Sequence, residues 1–124
     1  MKTECAATIF HVSNVEASIK YYKEILGFTV DFLYKDLAGL EYGAVLIYLS
    51  GPAQDVKKAV GEGSIYIFCD EVDQYFRDIH GKGAHIEIAL DDRPYDMRDF
   101  AIKDPDGNIL TFGKTRQTSG ETEQ

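Results

Sequence analysis

The sequence predicts an α+β domain made of two tandem β-α-β-β-β modules, with paired, curved mixed sheets around a cleft and the helices outside. Three observations predict it. The order strand, helix, strands occurs twice, and the halves align with an offset of 57 residues at Val12/Cys69 and Val15/Val72 and of 56 at Gly27/Gly83, the mark of an internal repeat. Each half carries one amphipathic helix, enough to cover one face of a small sheet, so the uncovered faces are left to share a concave space. At 124 residues, with 44% hydrophobic and 27% charged residues, the chain has the size and composition of one globular unit.

The elements follow in order. Residues 6–12, AATIFHV, combine β-branched and aromatic side chains and read as the first strand. Asn14 then offers a capping oxygen to a helix that ends near Gly27. Within it Val15, Ile19, Tyr22 and Leu26 recur every three or four residues on one face, with Glu16, Lys20, Lys23 and Glu24 largely elsewhere. Phe28 to Tyr34 alternates in part, Tyr42 to Leu49 is more continuously apolar, and Asp36 to Gly39 reads as the turn of a hairpin between them.

Past Gly51-Pro52 a polar connector runs through Gly63, and the pattern restarts: strand Ser64 to Cys69, helix Val72 to His80, Gly83, then strands Ile86 to Leu90, Arg98 to Lys103 and Asn108 to Gly113. The turn Asp104-Pro105-Asp106-Gly107-Asn108 fixes a φ angle with Pro, accepts backbone N–H groups with Asp and tolerates positive φ at Gly. A single domain is therefore expected over residues 1–114, with modules at about 6–50 and 64–113. Residues 115–124 carry no apolar side chain and read as a mobile polar tail.

Charge narrows the function. Thirteen Lys and Arg against 21 Asp and Glu give a formal −8, which repels a phosphate backbone and argues against nucleic acid. No run approaches the roughly 20 apolar residues of a membrane span, and the N-terminus lacks the zones of a signal peptide, so no membrane partner and a cytoplasmic location are expected. Cys5 and Cys69 are far apart and lack the spacing of a disulfide framework or zinc site; two reduced, packed thiols are expected.

The helix opening VSNVEASIKYYKEILGF, the second-module VDQYFRDIHGKGAHI and the closing RPYDMRDFAIKDPDGNILTFG, set in duplicated modules over residues 6–113, resemble the vicinal oxygen chelate superfamily, in its glyoxalase, bleomycin resistance and dioxygenase branch. The resemblance implies a fold shared by metalloenzymes and metal-free binding proteins. In the enzymes, as it implies, a divalent metal is held by His, Gln or Glu on the cleft side of the strands. Those positions fall here on Ala7, on Ile47 or Tyr48, on Ser64 and on Thr111. A methyl group, an apolar or phenolic side chain and two hydroxyls are a poor set for a divalent transition metal, so no metal and no cofactor are expected.

Strand alternation supplies the candidate site. His11 shares a face with Ala7 and Ile9; Tyr66 and Phe68 share the Ser64 face, which the resemblance makes concave, while Ile65, Ile67 and Cys69 face the helix. With Phe100 in the core, Asp99 takes the cleft side, where it would fix a cationic group, and Arg98 takes the other, to anchor a loop or interface. Tyr48, Thr111 and Tyr95 complete the set, Tyr95 in a Pro-containing loop able to cover the cleft. His80 and His85 flank a turn and read as solvated. The reading that follows is a metal-free protein that sequesters a small molecule, planar or cationic, in an aromatic-lined cleft, as a homodimer that covers its sheet edges. Its rivals are an interaction module and a lyase, isomerase or dioxygenase-like enzyme. The enzyme would use unorthodox metal ligands, or pair His11 with Tyr66 or Asp99 as acid and base.

Overall fold

In the computed structural model, which describes residues 1–54 and 58–116, the first sheet contains β1 (Thr8–His11), β2 (Thr29–Tyr34), β3 (Leu37–Tyr42) and β4 (Val45–Ser50), with helix α1 (Val15–Glu24) following β1. The second contains β5 (Ser64–Phe68), β6 (His85–Asp92), β7 (Met97–Lys103) and β8 (Ile109–Thr115), with α2 (Val72–Gly81) following β5. The strand orders are β1-β4-β3-β2 and β5-β8-β7-β6, the same winding twice. Each sheet has one parallel pair, β1 with β4 and β5 with β8, and otherwise antiparallel pairs. The α+β architecture of two β-α-β-β-β modules is thus the one that the internal repeat predicts. No helix among the described residues is long and apolar enough to cross a membrane.

Module one departs from its sequence reading between Asp36 and Leu49, where one expected turn and one expected strand, Tyr42 to Leu49, are two strands, with Tyr42 ending β3 and β4 starting at Val45 beyond Gly43. Leu37 to Tyr42 is a strand, and the turn ends at Asp36, with Lys35 at φ +54° and Gly43 at φ +57° bounding β3. Ala38 and Leu40 alternate into the core, while Gly39, which looked like a turn residue, pairs with Tyr48 and lies beneath the ring of Phe32. Any Cβ at Gly39 would collide with that ring. Glycine here serves close side-chain packing across the sheet, not chain reversal.

Helix α1 starts on a local cap and buries the expected face, whereas α2 has no side-chain cap and is held by the apolar residues it buries. The Asn14 side chain accepts from the Ala17 N–H at 2.9 Å, satisfying one of the first-turn donors. Val15, Tyr22 and Leu26 then pack on Phe10, Leu40, Ile47 and Leu49, and Val72 and Ile79 of α2 join Phe100, Ile102, Leu110 and Phe112 in the same continuous core. Aromatic rings carry that core from one module into the other. Edge-on contacts link Tyr22 to Phe28 at 5.6 Å between centroids, Phe28 to Tyr42 at 5.4 Å, Tyr42 to Tyr75 at 5.8 Å and Tyr75 to Phe112 at 4.8 Å.

The Asp104–Asn108 turn joins β7 to β8 and also bolts the modules together. Asp104 Oδ1 accepts the backbone N–H groups of Asp106, Gly107 and Asn108, and its Oδ2 accepts from Tyr22 Oη of α1 at 2.9 Å and from Asn108 Nδ2. Asn108 Oδ1 in turn accepts from the Gly63 N–H, and Asp106 accepts from the Ser13 N–H. At the other end of β8, Thr115 pairs with Met97 and the Arg116 N–H donates to Asp96 O. Ladder hydrogen bonds therefore hold Thr115, where the sequence reading begins its tail; residues 117–124 lie outside the described residues.

Candidate functional site

Strand alternation sends one row of side chains on β5 and β7 toward the helices and the other row away from them. On β5 the buried row is led by Ile67, so Ser64, Tyr66 and Phe68 stand on the uncovered face; Phe68 is 73% exposed. The two rings lie 5.0 Å apart between centroids, tilted by 50°. On β7 Phe100 and Ile102 are in the core and Asp99 points the other way. The sequence parity of both strands holds.

Tyr66 does not stop at its own strand. Its ring crosses β8 above Gly113, the register partner of Asp99, where an added Cβ would strike the phenol. Its hydroxyl donates to Asp99 Oδ2 at 2.8 Å, and the Tyr95 hydroxyl donates to the same oxygen at 2.9 Å. Arg93 Nε donates to Oδ1 at 2.6 Å, while Nη2 donates to the backbone carbonyls of Asp99 and Ala89. Asp99 is 3% exposed. Both of its oxygens are engaged by the chain's own donors, so the carboxylate positions two phenols and a guanidinium where the sequence reading had it standing free for a cationic ligand.

The electrostatics agree with this arrangement. Burial alone would raise the Asp99 carboxyl, but the hydrogen bonds from Arg93, Tyr66 and Tyr95 outweigh it and hold it below the usual carboxylate range. The same contacts act on the partners in reverse. Partial burial and the bond to Asp99 push the Tyr66 phenol well above its ordinary value, and the bond to Asp99 pushes up both Tyr95 and Arg93. At neutral pH the unit is therefore one carboxylate, one guanidinium and two protonated phenols.

The tight loop Arg93–Asp96 carries two of these groups. Its ends are tied by the Arg93 N–H to Met97 O at 2.7 Å, and Asp96 takes a left-handed φ of +62° that Asp accepts at modest cost. Tyr95 and Tyr66 thus meet at one oxygen of the carboxylate. Thr111 is the register partner of Tyr66 on β8.

The other expected residues lie elsewhere. His11 and Tyr48 line a separate hollow of about 830 Å³ between module one and the connector, together with Ile9, Lys58 and Glu62. Tyr48 meets Phe32 edge-on at 5.2 Å. Arg98 is on the helix side of β7, forked onto Asp73 of α2 at 2.8 and 3.0 Å and touching Asp92. It anchors the start of α2, and its contact lowers the Asp73 carboxyl. His85 lies beside Glu87, and His80 stacks on Phe76.

Two smaller hollows border β5. One, of about 370 Å³, runs between Ala7 of the segment before β1 and the Tyr66–Phe68 rings. The other, of about 290 Å³, is on the helix side, walled by Tyr42, Ile67, Tyr75 and Phe112 with Glu71 at its rim. Phe68 borders both.

Among the positions where the resemblance implies metal ligands, Ile47 is fully buried in the core, which leaves Ala7, Tyr48, Ser64 and Thr111. One methyl group and three hydroxyls do not fit a divalent transition metal. Among the described residues no three His, Cys, Asp or Glu side chains stand close enough to hold one.

Sequence reasoning missed Arg93 and Phe32. Arg93 had a signal: an acidic residue turned away from the helices on a central strand needs donors, and Arg93 directly follows the strand that pairs with it. For Phe32 the signal was Gly39 in the middle of an alternating run.

Comparison with known proteins places this geometry. The family model described as the Glyoxalase/Bleomycin resistance protein/Dioxygenase superfamily matches residues 6–112. A bleomycin resistance protein of Geobacillus stearothermophilus is 27% identical over 117 residues, covering 82% of this chain and 89% of its own. Among solved structures, the bleomycin-binding protein of bleomycin-producing Streptomyces verticillus, complexed with copper(II)-bleomycin, superimposes with a TM-score of 0.75 at 21% identity, covering 95% of this chain and 99% of its own. Lactoylglutathione lyase from Agrobacterium tumefaciens does so with a TM-score of 0.76 at 20% identity, covering 92% and 95%. With nearly the whole chain matched by the family model and the module topology repeated in both halves, the protein belongs to the glyoxalase, bleomycin resistance protein and dioxygenase superfamily.

Proposed function

We propose that the chain is a metal-independent binding protein that sequesters a planar small molecule against the Tyr66–Phe68 pair. The observation that carries this reading is the pair itself. Two aromatic side chains stand on an uncovered sheet face, one of them 73% exposed, with the neighbouring phenol fixed by Asp99. Leaving such rings in water is unfavourable, and stacking a planar ligand on them recovers the apolar area plus about 0.5–1.5 kcal/mol for each well-placed ring contact. The relatives point the same way: one is a bleomycin resistance protein, and a structural neighbour is a bleomycin-binding protein. Bleomycin is accordingly the first ligand to test.

The lyase reading is less well supported. It needs metal donors where Ala7, Tyr48, Ser64 and Thr111 stand, and its metal-independent form needs His11 beside Tyr66 or Asp99, whereas His11 lines the hollow between module one and the connector. The test is native mass spectrometry of the protein purified from its host, with titration of bleomycin and copper(II)-bleomycin followed by tyrosine fluorescence. A co-purifying or titrating small molecule whose binding is lost in Tyr66→Ala supports the reading. Binding indifferent to Tyr66 and Phe68, or catalytic turnover that tracks an added metal, overturns it.

A further inference from the structure

We infer that Tyr66, Tyr95 and Asp99 form an acceptor-only wall, which selects planar ligands whose ring substituents donate hydrogen bonds, amino or amidino groups above all, over rings that carry only acceptors or carboxylates. The inference rests on the binding reading above and adds the chemical class of the ligand. A phenol has one proton to give. Both phenol protons here are committed to one atom, Asp99 Oδ2, at 2.8 and 2.9 Å. What each phenol oxygen can still offer is a lone pair.

The alternative states of the wall are costly. Turning either hydroxyl toward a ligand acceptor breaks a hydrogen bond to a carboxylate, which weighs against such a ligand by about tenfold or more in affinity. A ligand donor meets no such penalty, and the carboxylate behind each phenol polarises its oxygen toward accepting. Asp99 itself is out of reach at 3% exposure, and its charge is matched by Arg93, so selection acts through hydrogen bonds and not through a free anion. Both phenols are also shifted above their ordinary range and keep their protons at physiological pH. Tyr66 and Tyr95 are thus specificity-determining residues, and Asp99 is the positioning residue behind them.

The experiment compares three probes of one ring system: proflavine, a diamino donor; acridine, which carries only an acceptor; and an acridine carboxylate. Each is titrated by fluorescence into the wild-type chain, Tyr66→Phe and Tyr95→Phe, with thermal unfolding confirming that each variant folds. Neither substitution changes charge or removes a ring, so long-range attraction and stacking cancel from the comparison. The expected result is that proflavine binds best to the wild type and that the proflavine-to-acridine affinity ratio falls about five- to tenfold in Tyr66→Phe, through loss of proflavine affinity. An unchanged ratio in both variants, with all three probes bound, overturns this inference and leaves the binding reading standing. Tightest binding of the carboxylate also overturns it, by making the Arg93 guanidinium the group that meets the ligand. Failure of all three to bind the wild type counts against the planar-ligand reading and against this inference with it.

Discussion

Tyr66 on β5 reaches Asp99 on β7 across the whole width of β8, and it does so over Gly113, the one residue of that strand with no side chain to obstruct it. The hydrogen bond and the glycine are a single device. Gly113→Ala places a methyl group against the phenol, so the ring must lift and release the carboxylate. The expected cost is about 1–3 kcal/mol in chemical denaturation. In a Tyr66→Ala background the obstruction is gone, and the same substitution becomes neutral or mildly stabilising. Equal costs in both backgrounds would show that the ring does not rest on position 113.

The Asp99 unit sets a pH dependence. Because its hydrogen bonds hold the carboxyl below its unfolded value, the stabilisation is fully present above the ordinary carboxylate pKa near pH 4. It is lost as pH falls through the lower folded value. Asp99→Asn lacks this titration. Urea denaturation should find the wild type more stable by a constant margin from about pH 7 to about pH 5, with the margin shrinking below about pH 4. A margin unchanged down to about pH 3 would remove Asp99 from the account.

The Asp104 turn makes the modules interdependent. Asp104→Ala strips three backbone donors and Tyr22 of a buried acceptor at once, and is expected to cost about 3–5 kcal/mol. Tyr22→Phe removes one hydrogen bond and should cost about 1–2 kcal/mol. In the double variant the two costs should fall short of their sum, since both remove the same contact. A cost below about 1 kcal/mol for Asp104→Ala would contradict the bolt.

The sheet edges bear on assembly. β2 and β6 end their sheets, and Val30, Leu33, Tyr34 and Ile88 on them are exposed. Unpaired apolar edges invite pairing with a second chain. Light scattering at micromolar concentration should report a homodimer, and Leu33→Lys should shift it toward monomer. A monomeric mass in the wild type would contradict this.

What could be read in advance follows the physics of each element. Parity on β5 and β7 was legible because one face of each strand is packed apolar, and Phe100 and Ile67 fix which face that is. The Asn14 cap and the Asp104–Asn108 turn were legible because their chemistry is local. β3 was not, because Gly39 answers to Phe32, a residue on another strand, and local propensity carries no trace of that partner. The saturation of Asp99 was hidden for the same reason. Its donors come from β5 and from the loop before β7, and periodicity places a residue on a face without saying who meets it there.

The most direct test of the central claim is the affinity of proflavine for wild type, Phe68→Ala and His80→Ala, measured side by side by fluorescence titration. Phe68 is the exposed ring of the pair, and His80 sits on α2 stacked against Phe76. Phe68→Ala should lose about tenfold or more in affinity, equivalent to about 1.4 kcal/mol, with His80→Ala unchanged. Equal affinity in all three would place the ligand away from the Tyr66–Phe68 face and contradict the claim.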